Sequence, residues 1–135
     1  MKSVMVIDDE LDVRDSIKRV LDRAGYSVRS VENAEDALNE LDASPADLII
    51  TDIIMPKVDG VKAIHEIRKK FPAIRILAIS GGGNFGVGAY QPGAITTTAY
   101  LAAAEKAGAH LTLTKPFESK DLLQAVETAL RAVFH

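Results

Sequence analysis

Apolar residues fall into two rhythms along the chain. Val4-Met5-Val6-Ile7, Leu48-Ile49-Ile50 and Ile74-Arg75-Ile76-Leu77-Ala78-Ile79 are short, nearly unbroken apolar runs. That is the pattern of parallel strands covered on both faces. Tyr26 to Val31 and His110 to Thr114 read as two further strands, the first of them weaker. Between these runs the apolar positions recur every three to four residues, the spacing of a helix with one buried face. Val13, Ile17, Val20, Leu21 and Ala24 form one such face, stopped by Gly25. Ala34, Ala37, Leu38 and Leu41 form a second, capped by Asn33 with Asp36 three residues on, and ended by Ser44-Pro45. Val61, Ile64 and Ile67 form a third, closed by Phe71-Pro72. Thr96 to Ala107 is alanine-rich and helical, with Gly108 as its C-cap residue, and Leu122, Leu123, Val126, Ala129, Leu130 and Val133 define a last helix. Five strands alternating with five helices predict an α/β fold. It is a five-stranded, doubly wound parallel sheet with right-handed crossovers and helices on both faces. No linker or repeat interrupts it, so one domain is expected over residues 1–135.

Composition narrows the function classes. The absence of cysteine excludes disulfides, thiolate nucleophiles and cysteine-held zinc, and fits a reducing compartment. A net charge of −3 without a basic stripe argues against nucleic acid as a direct partner. The four-residue run from Val4 to Ile7 is too short for a signal peptide, and Asp52 interrupts the longest apolar stretch, so no membrane span is expected. The expectation is a cytoplasmic protein.

The chemistry gathers where strands end. In an open α/β sheet, ligands bind outside the carboxyl ends of the strands. Those ends carry Asp8 and Asp9 after the first strand, Asp52 after the third, Ser80 after the fourth and Lys115 after the fifth. After Asp52, Met55-Pro56 and Asp59-Gly60 mark a tight loop before the next helix. The first, third and fourth strands are expected to be neighbours at the sheet centre. Three carboxylates converging there repel one another unless a cation sits among them. They offer only hard oxygen donors, which favours Mg²⁺ over zinc. An acid cluster, a lysine and a hydroxyl around one central carboxylate suit phosphoryl transfer, with Asp52 attacking in line. Each residue has a plainer reading. Asp52 could be a strand-end or capping aspartate, Asp8-Asp9 an acidic start that favours the first helix dipole, and Lys115 a solvated lysine. All five reaching strand ends by accident is the less economical account.

Residues 81 to 93 hold six of the nine glycines, and Gly81, Gly83 and Gly86 satisfy G-x-G-x-x-G. The motif follows the fourth strand rather than the first, and no acidic residue ends the next strand, so a dinucleotide site is disfavoured. No lysine is present for a P-loop. A loop whose Phe85 and Tyr90 touch a partner or the domain itself is the better reading. His65 and His110 lie on separate elements without metal spacing, which predicts packing or surface roles.

The chain resembles the receiver domain of the two-component response regulators over nearly its full length. The resemblance rests on Val6-Ile7-Asp8-Asp9-Glu10, Thr51-Asp52-Ile53-Ile54-Met55-Pro56 with Asp59-Gly60, Ala78-Ile79-Ser80, Ala107-Gly108-Ala109 and Thr114-Lys115-Pro116-Phe117. It implies a flavodoxin-like fold in which Asp52 is the phospho-acceptor. It further implies that Asp9, Asp52 and the backbone carbonyl of Ile54 ligate Mg²⁺ directly, and that Asp8 does so mostly through water. Ser80 would follow the phosphoryl group and Lys115 would pair with it. The donor implied is a histidine kinase or histidine phosphotransfer protein, with a downstream protein as target, in a phosphorelay. The protein would be a switch rather than an enzyme, catalysing only its own phosphorylation and dephosphorylation. The chain ends shortly after the last helix, which resembles a stand-alone receiver of the chemotaxis-regulator type.

Two departures stand out. Thr112 occupies the position where the family usually carries a Tyr or Phe that reports phosphorylation. The glycine-rich insertion at about 81–95 lengthens the segment between Ser80 and Ala107, and it could supply the conformational output in place of that aromatic. The contrasting expectation is a pseudo-receiver, a docking module working without phosphorylation. A third, a nucleotide-binding α/β enzyme, rests on the glycines alone.

Overall fold

Strands β1 (Ser3–Ile7), β2 (Ser27–Val31), β3 (Leu48–Asp52), β6 (Arg75–Ser80) and β7 (Leu111–Thr114) lie side by side in the order β2-β1-β3-β6-β7. All four pairings are parallel. The computed structural model describes residues 2–55, 58–80, 105–114 and 117–131. The glycine-rich insertion, Lys115 and Val133 therefore lie outside the described residues. Of the expected helix over Thr96 to Ala107, residues 105–107 are described and are helical.

The two-residue period of the strands sorts their side chains into two cores. Met5, Ile7, Ile49, Ile76 and Ala78 point to one face, where they meet Ala37 and Leu41 of α2 (Ala34–Ala43) and Ile64 and Ile67 of α3 (Gly60–Lys70). Val4, Val6, Leu48, Ile50, Leu77 and Ile79 point to the other. There they meet Ile17 and Leu21 of α1 (Leu11–Arg23) and Leu122, Val126 and Ala129 of α4 (Ser119–Leu130). This double covering is why the strands read as unbroken apolar runs. Burying each large aliphatic side chain contributes about 1.5–3 kcal/mol, so these two layers dominate the stability of the fold.

Local signals set the element ends. The Asn33 side chain accepts from the Asp36 N–H at 2.8 Å and starts α2. Gly25 follows α1 at φ +97°, a conformation that other residues adopt only with strain. A reciprocal capping box between Glu118 and Asp121 opens α4. The loop expected after Asp52 closes on itself, with β4 (Ile54–Met55) and β5 (Val58–Asp59) pairing antiparallel in a two-stranded ladder. Among the described residues no helix is long and apolar enough to cross a membrane.

Candidate functional site

Strand register brings the acidic residues to one edge. Ile7 pairs with Thr51, so Asp8 and Asp52 are the next residues on adjacent strands, which run about 4.8 Å apart. Asp52 in turn pairs with Ile79 of β6, and Ser80 follows as the last residue of that strand, opposite Thr114 of β7. Ile54 opens β4 two residues beyond Asp52. Asp8, Asp52 and Ser80 thus share the carboxyl edge of the sheet, with Ile54 just past it. Lys115, next after Thr114, lies outside the described residues.

Asp52 is 3% exposed and Asp8 2%, two of the three buried polar residues among those described. The third, Thr51, donates its hydroxyl to the Asp52 carbonyl at 3.2 Å. The Ile53 N–H donates to the Ile79 carbonyl at 3.0 Å and carries the pairing one residue past Asp52. Burial on both faces is the work of strand β3. A buried carboxylate is costly unless it is paired or hydrogen-bonded.

The turn between β1 and α1 is tightly held. The Asp8 N–H donates to the Val31 carbonyl at 3.2 Å, and the Asp8 Oδ1 accepts from the Glu10 N–H at 2.9 Å. Asp9 and Glu10 are exposed. One carboxylate oxygen from each of Asp8, Asp9 and Glu10 lies within 4.8 Å of the others. Glu10 stands at the N-cap of α1, yet its side chain makes no capping hydrogen bond. The group has the chemistry of a hard divalent-cation site. Oxygens on opposite sides of an octahedral Mg²⁺ lie about 4.2 Å apart, and the exposed Asp9 and Glu10 side chains can close that difference. Asp8 and Asp9, the two expected ligands in this cluster, therefore fit a cation of this class, while the Asp52 carboxylate lies outside the cluster.

Glu10 was not singled out from the sequence, although it completes the acidic run Asp8-Asp9-Glu10. Arg14 was also missed. Its guanidinium donates to the Asp8 carbonyl at 2.7 Å from the second turn of α1. Nothing in the spacing marks that contact, because it depends on how α1 leaves the sheet.

The remaining candidates sit elsewhere. Thr112 is half-buried on β7 opposite Ala78, so the position usually held by an aromatic is a small strand residue. His65 is exposed on α3. His110 precedes β7 at the opposite edge, where its Nδ1 accepts from the Ile76 N–H at 3.2 Å and lies 3.1 Å from Arg68 Nη2. Burial, then the Arg68 and Arg75 charges, hold its pKa below the ordinary value. A cleft of about 340 Å³ lined by Pro45, Phe71, Pro72 and Ile74 also opens at that edge, away from the acids.

Comparison with known proteins identifies the family. Residues 4–127 match the family described as the response regulator receiver domain. The chain is 35% identical to the DNA-binding transcriptional regulator NtrC of Azospirillum brasilense, over 96% of its own length and 24% of that protein's. It thus spans about a quarter of that relative. It is 29% identical to the response regulator receiver protein CpdR of Brucella abortus, over 98% of its own length and 99% of that protein's. The crystal structure of the receiver domain of NtrX from Brucella abortus superposes with a TM-score of 0.80 at 30% identity, covering 96% of this chain and 99% of that one.

Proposed function

The chain belongs to the response regulator receiver domains, and on that footing we propose that Asp52 accepts a phosphoryl group from a phosphohistidine. The donor is a histidine kinase or a histidine phosphotransfer protein. A carboxylate oxygen of Asp52 attacks phosphorus, the bond from phosphorus to the donor imidazole breaks, and its electron pair leaves on the imidazole nitrogen. The product is an aspartyl phosphate, a signalling state rather than a released metabolite.

The observation that supports this reading best is the register placing buried Asp52 beside buried Asp8 at the edge where the acidic turn lies. Asp9, Asp52 and the Ile54 backbone carbonyl would hold Mg²⁺ directly and Asp8 mostly through water; bound there, the ion neutralises charge on the phosphoryl oxygens. Ser80, at the end of β6, would hydrogen-bond a phosphoryl oxygen, and Lys115 would pair with its charge. The downstream target is a protein, in keeping with a net charge of −3 and no basic stripe, and the setting is the cytoplasm.

Incubation with acetyl phosphate and Mg²⁺, followed by intact mass, tests the assignment. The parent should gain one phosphoryl group and Asp52→Asn none, with unchanged circular dichroism. Full labelling of the Asn variant would move the acceptor to another residue. An unlabelled parent would instead favour a docking module that works without phosphorylation.

A further inference from the structure

The turn that carries Asp8, Asp9 and Glu10 has a built-in cation. Arg14 reaches back across it from two directions. Its backbone N–H donates to the Glu10 carbonyl at 3.1 Å, the first hydrogen bond of α1. Its guanidinium Nη1 donates to the Asp8 carbonyl at 2.7 Å. The second contact is short and charge-assisted, the stronger class of hydrogen bond. Arg14 is half-buried, so its positive charge is only partly screened by water.

Charge crowding strains this turn even though backbone hydrogen bonds hold Asp8. Three carboxylates within 4.8 Å of one another repel, and two of the three side chains are exposed. Repulsion works against the hydrogen bonds that hold Asp8 and bears most on the exposed Asp9 and Glu10. Arg14 opposes that strain through its guanidinium, which ties the Asp8 carbonyl to a helix whose backbone already holds the Glu10 carbonyl. That helix is anchored in the core by Ile17 and Leu21.

We propose that Arg14 is a positioning residue for the divalent-cation site, holding the Asp8–Glu10 turn in its ligating shape before the cation binds. The proposal rests on the cation-binding role assigned above. It makes a prediction that simple electrostatics opposes. A fixed positive charge near the site should weaken cation binding, so removing it should tighten binding if charge were all that mattered. If positioning dominates, removing Arg14 must weaken binding instead, because the turn has to be ordered at the expense of binding energy.

The test is Mg²⁺ titration of the full chain by calorimetry, together with backbone amide exchange in the metal-free protein. Parent, Arg14→Gln and Arg14→Lys are compared. Arg14→Gln should weaken Mg²⁺ binding on the order of tenfold, and should speed exchange at the Glu10 amide that bonds to the Asp8 carboxylate. Arg14→Lys keeps the charge but loses the planar fork, and should fall between parent and Gln. A merely structural role would lower the melting temperature equally with and without Mg²⁺. A positioning role makes the Mg²⁺-induced rise smaller in the variant. Should Arg14→Gln fail to fold, Arg14→Lys carries the comparison alone, and its Mg²⁺ affinity must be lower than the parent's. Equal or tighter Mg²⁺ binding by the folded variants overturns this proposal alone. Failure of the parent itself to bind Mg²⁺ overturns the cation role, and this proposal with it.

Discussion

The two edges of the sheet treat charge in opposite ways. At the carboxyl edge Asp8, Asp9 and Glu10 crowd like charges within 4.8 Å, with Asp52 buried on the neighbouring strand. At the amino edge polar groups are matched to partners. Asp47 accepts the Ser3 N–H on its Oδ2 at 2.8 Å, while its backbone pairs with both Ser3 and Arg75. Arg68, in the last turn of α3, donates to the Pro72 carbonyl at 2.6 Å and the Gly108 carbonyl at 3.1 Å, and its Nη2 meets His110. Lys70 pairs with Asp42 at 2.8 Å. The same five strands thus end in crowded carboxylates on one side and in a clasp of oppositely charged and hydrogen-bonded groups on the other. Strained or repulsive groups persist only where something outside the fold gives them a use. On the reading proposed above, the acidic edge is the ligand-binding side, while the amino edge adds a polar clasp to the stability that the two apolar layers supply.

That contrast can be broken most forcefully at Gly108. Its φ is +132°, and a Cβ built there would come within 2.9 Å of Arg68 Cγ. Gly108→Ala should therefore strain the backbone and displace the arginine that ties α3 to β7, at a cost of about 1–3 kcal/mol. Urea unfolding measures this, and a variant as stable as the parent would show that the Arg68 clasp adds nothing to stability.

A smaller effect should appear on acidification. The His110 pKa is held below its ordinary value of 6.5 by burial, with Arg68 and Arg75 adding to the effect. The unfolded chain therefore takes up a proton here before the folded protein does. Stability from this residue is fully present above about 6.5 and is lost as pH falls from there through the lower folded value. Protonation places a proton on the nitrogen that now accepts from Ile76 and faces Arg68. Melting temperatures from neutral to mildly acid pH should fall more steeply for the parent than for His110→Gln. Parallel profiles would remove the histidine from the clasp.

The smallest change is expected at the acidic edge, and with the opposite sign. Asp9→Asn removes one of three crowded charges, and should stabilise the metal-free protein by a few tenths of a kcal/mol. It should also abolish most of the stabilisation that Mg²⁺ gives the parent. Thermal melts with and without Mg²⁺ separate the two effects. A variant destabilised without metal would mean that Asp9 serves the fold rather than the site.

Much of this was legible in the sequence because its signals are local or periodic. The unbroken run Leu48-Ile49-Ile50 announced a doubly covered strand, and the Asn33 cap and the stops at Gly25 and Gly108 are written in residue types with special backbone preferences. Asp52 showed itself by ending an apolar run with a charge. The β4–β5 hairpin was legible only as a loop, since Met55-Pro56 and Asp59-Gly60 signal a reversal without saying whether its arms pair. Glu10 was hidden by the choice of Asp8 and Asp9 from an acidic run of three.

By itself, then, the sequence determined the alternation of strands and helices, the acids at strand ends and the family resemblance, because period and residue type act within a few positions of the chain. Tertiary structure decided that Ile7 faces Thr51, and so that Asp8 and Asp52 become neighbours although 44 positions separate them. It decided likewise that Arg14 grips the Asp8 carbonyl and that Arg68 joins Gly108 to His110. Those contacts depend on strand register and on the angle at which helices cross the sheet. Both are set by how two apolar layers pack as a whole, and no short stretch of residues contains that information.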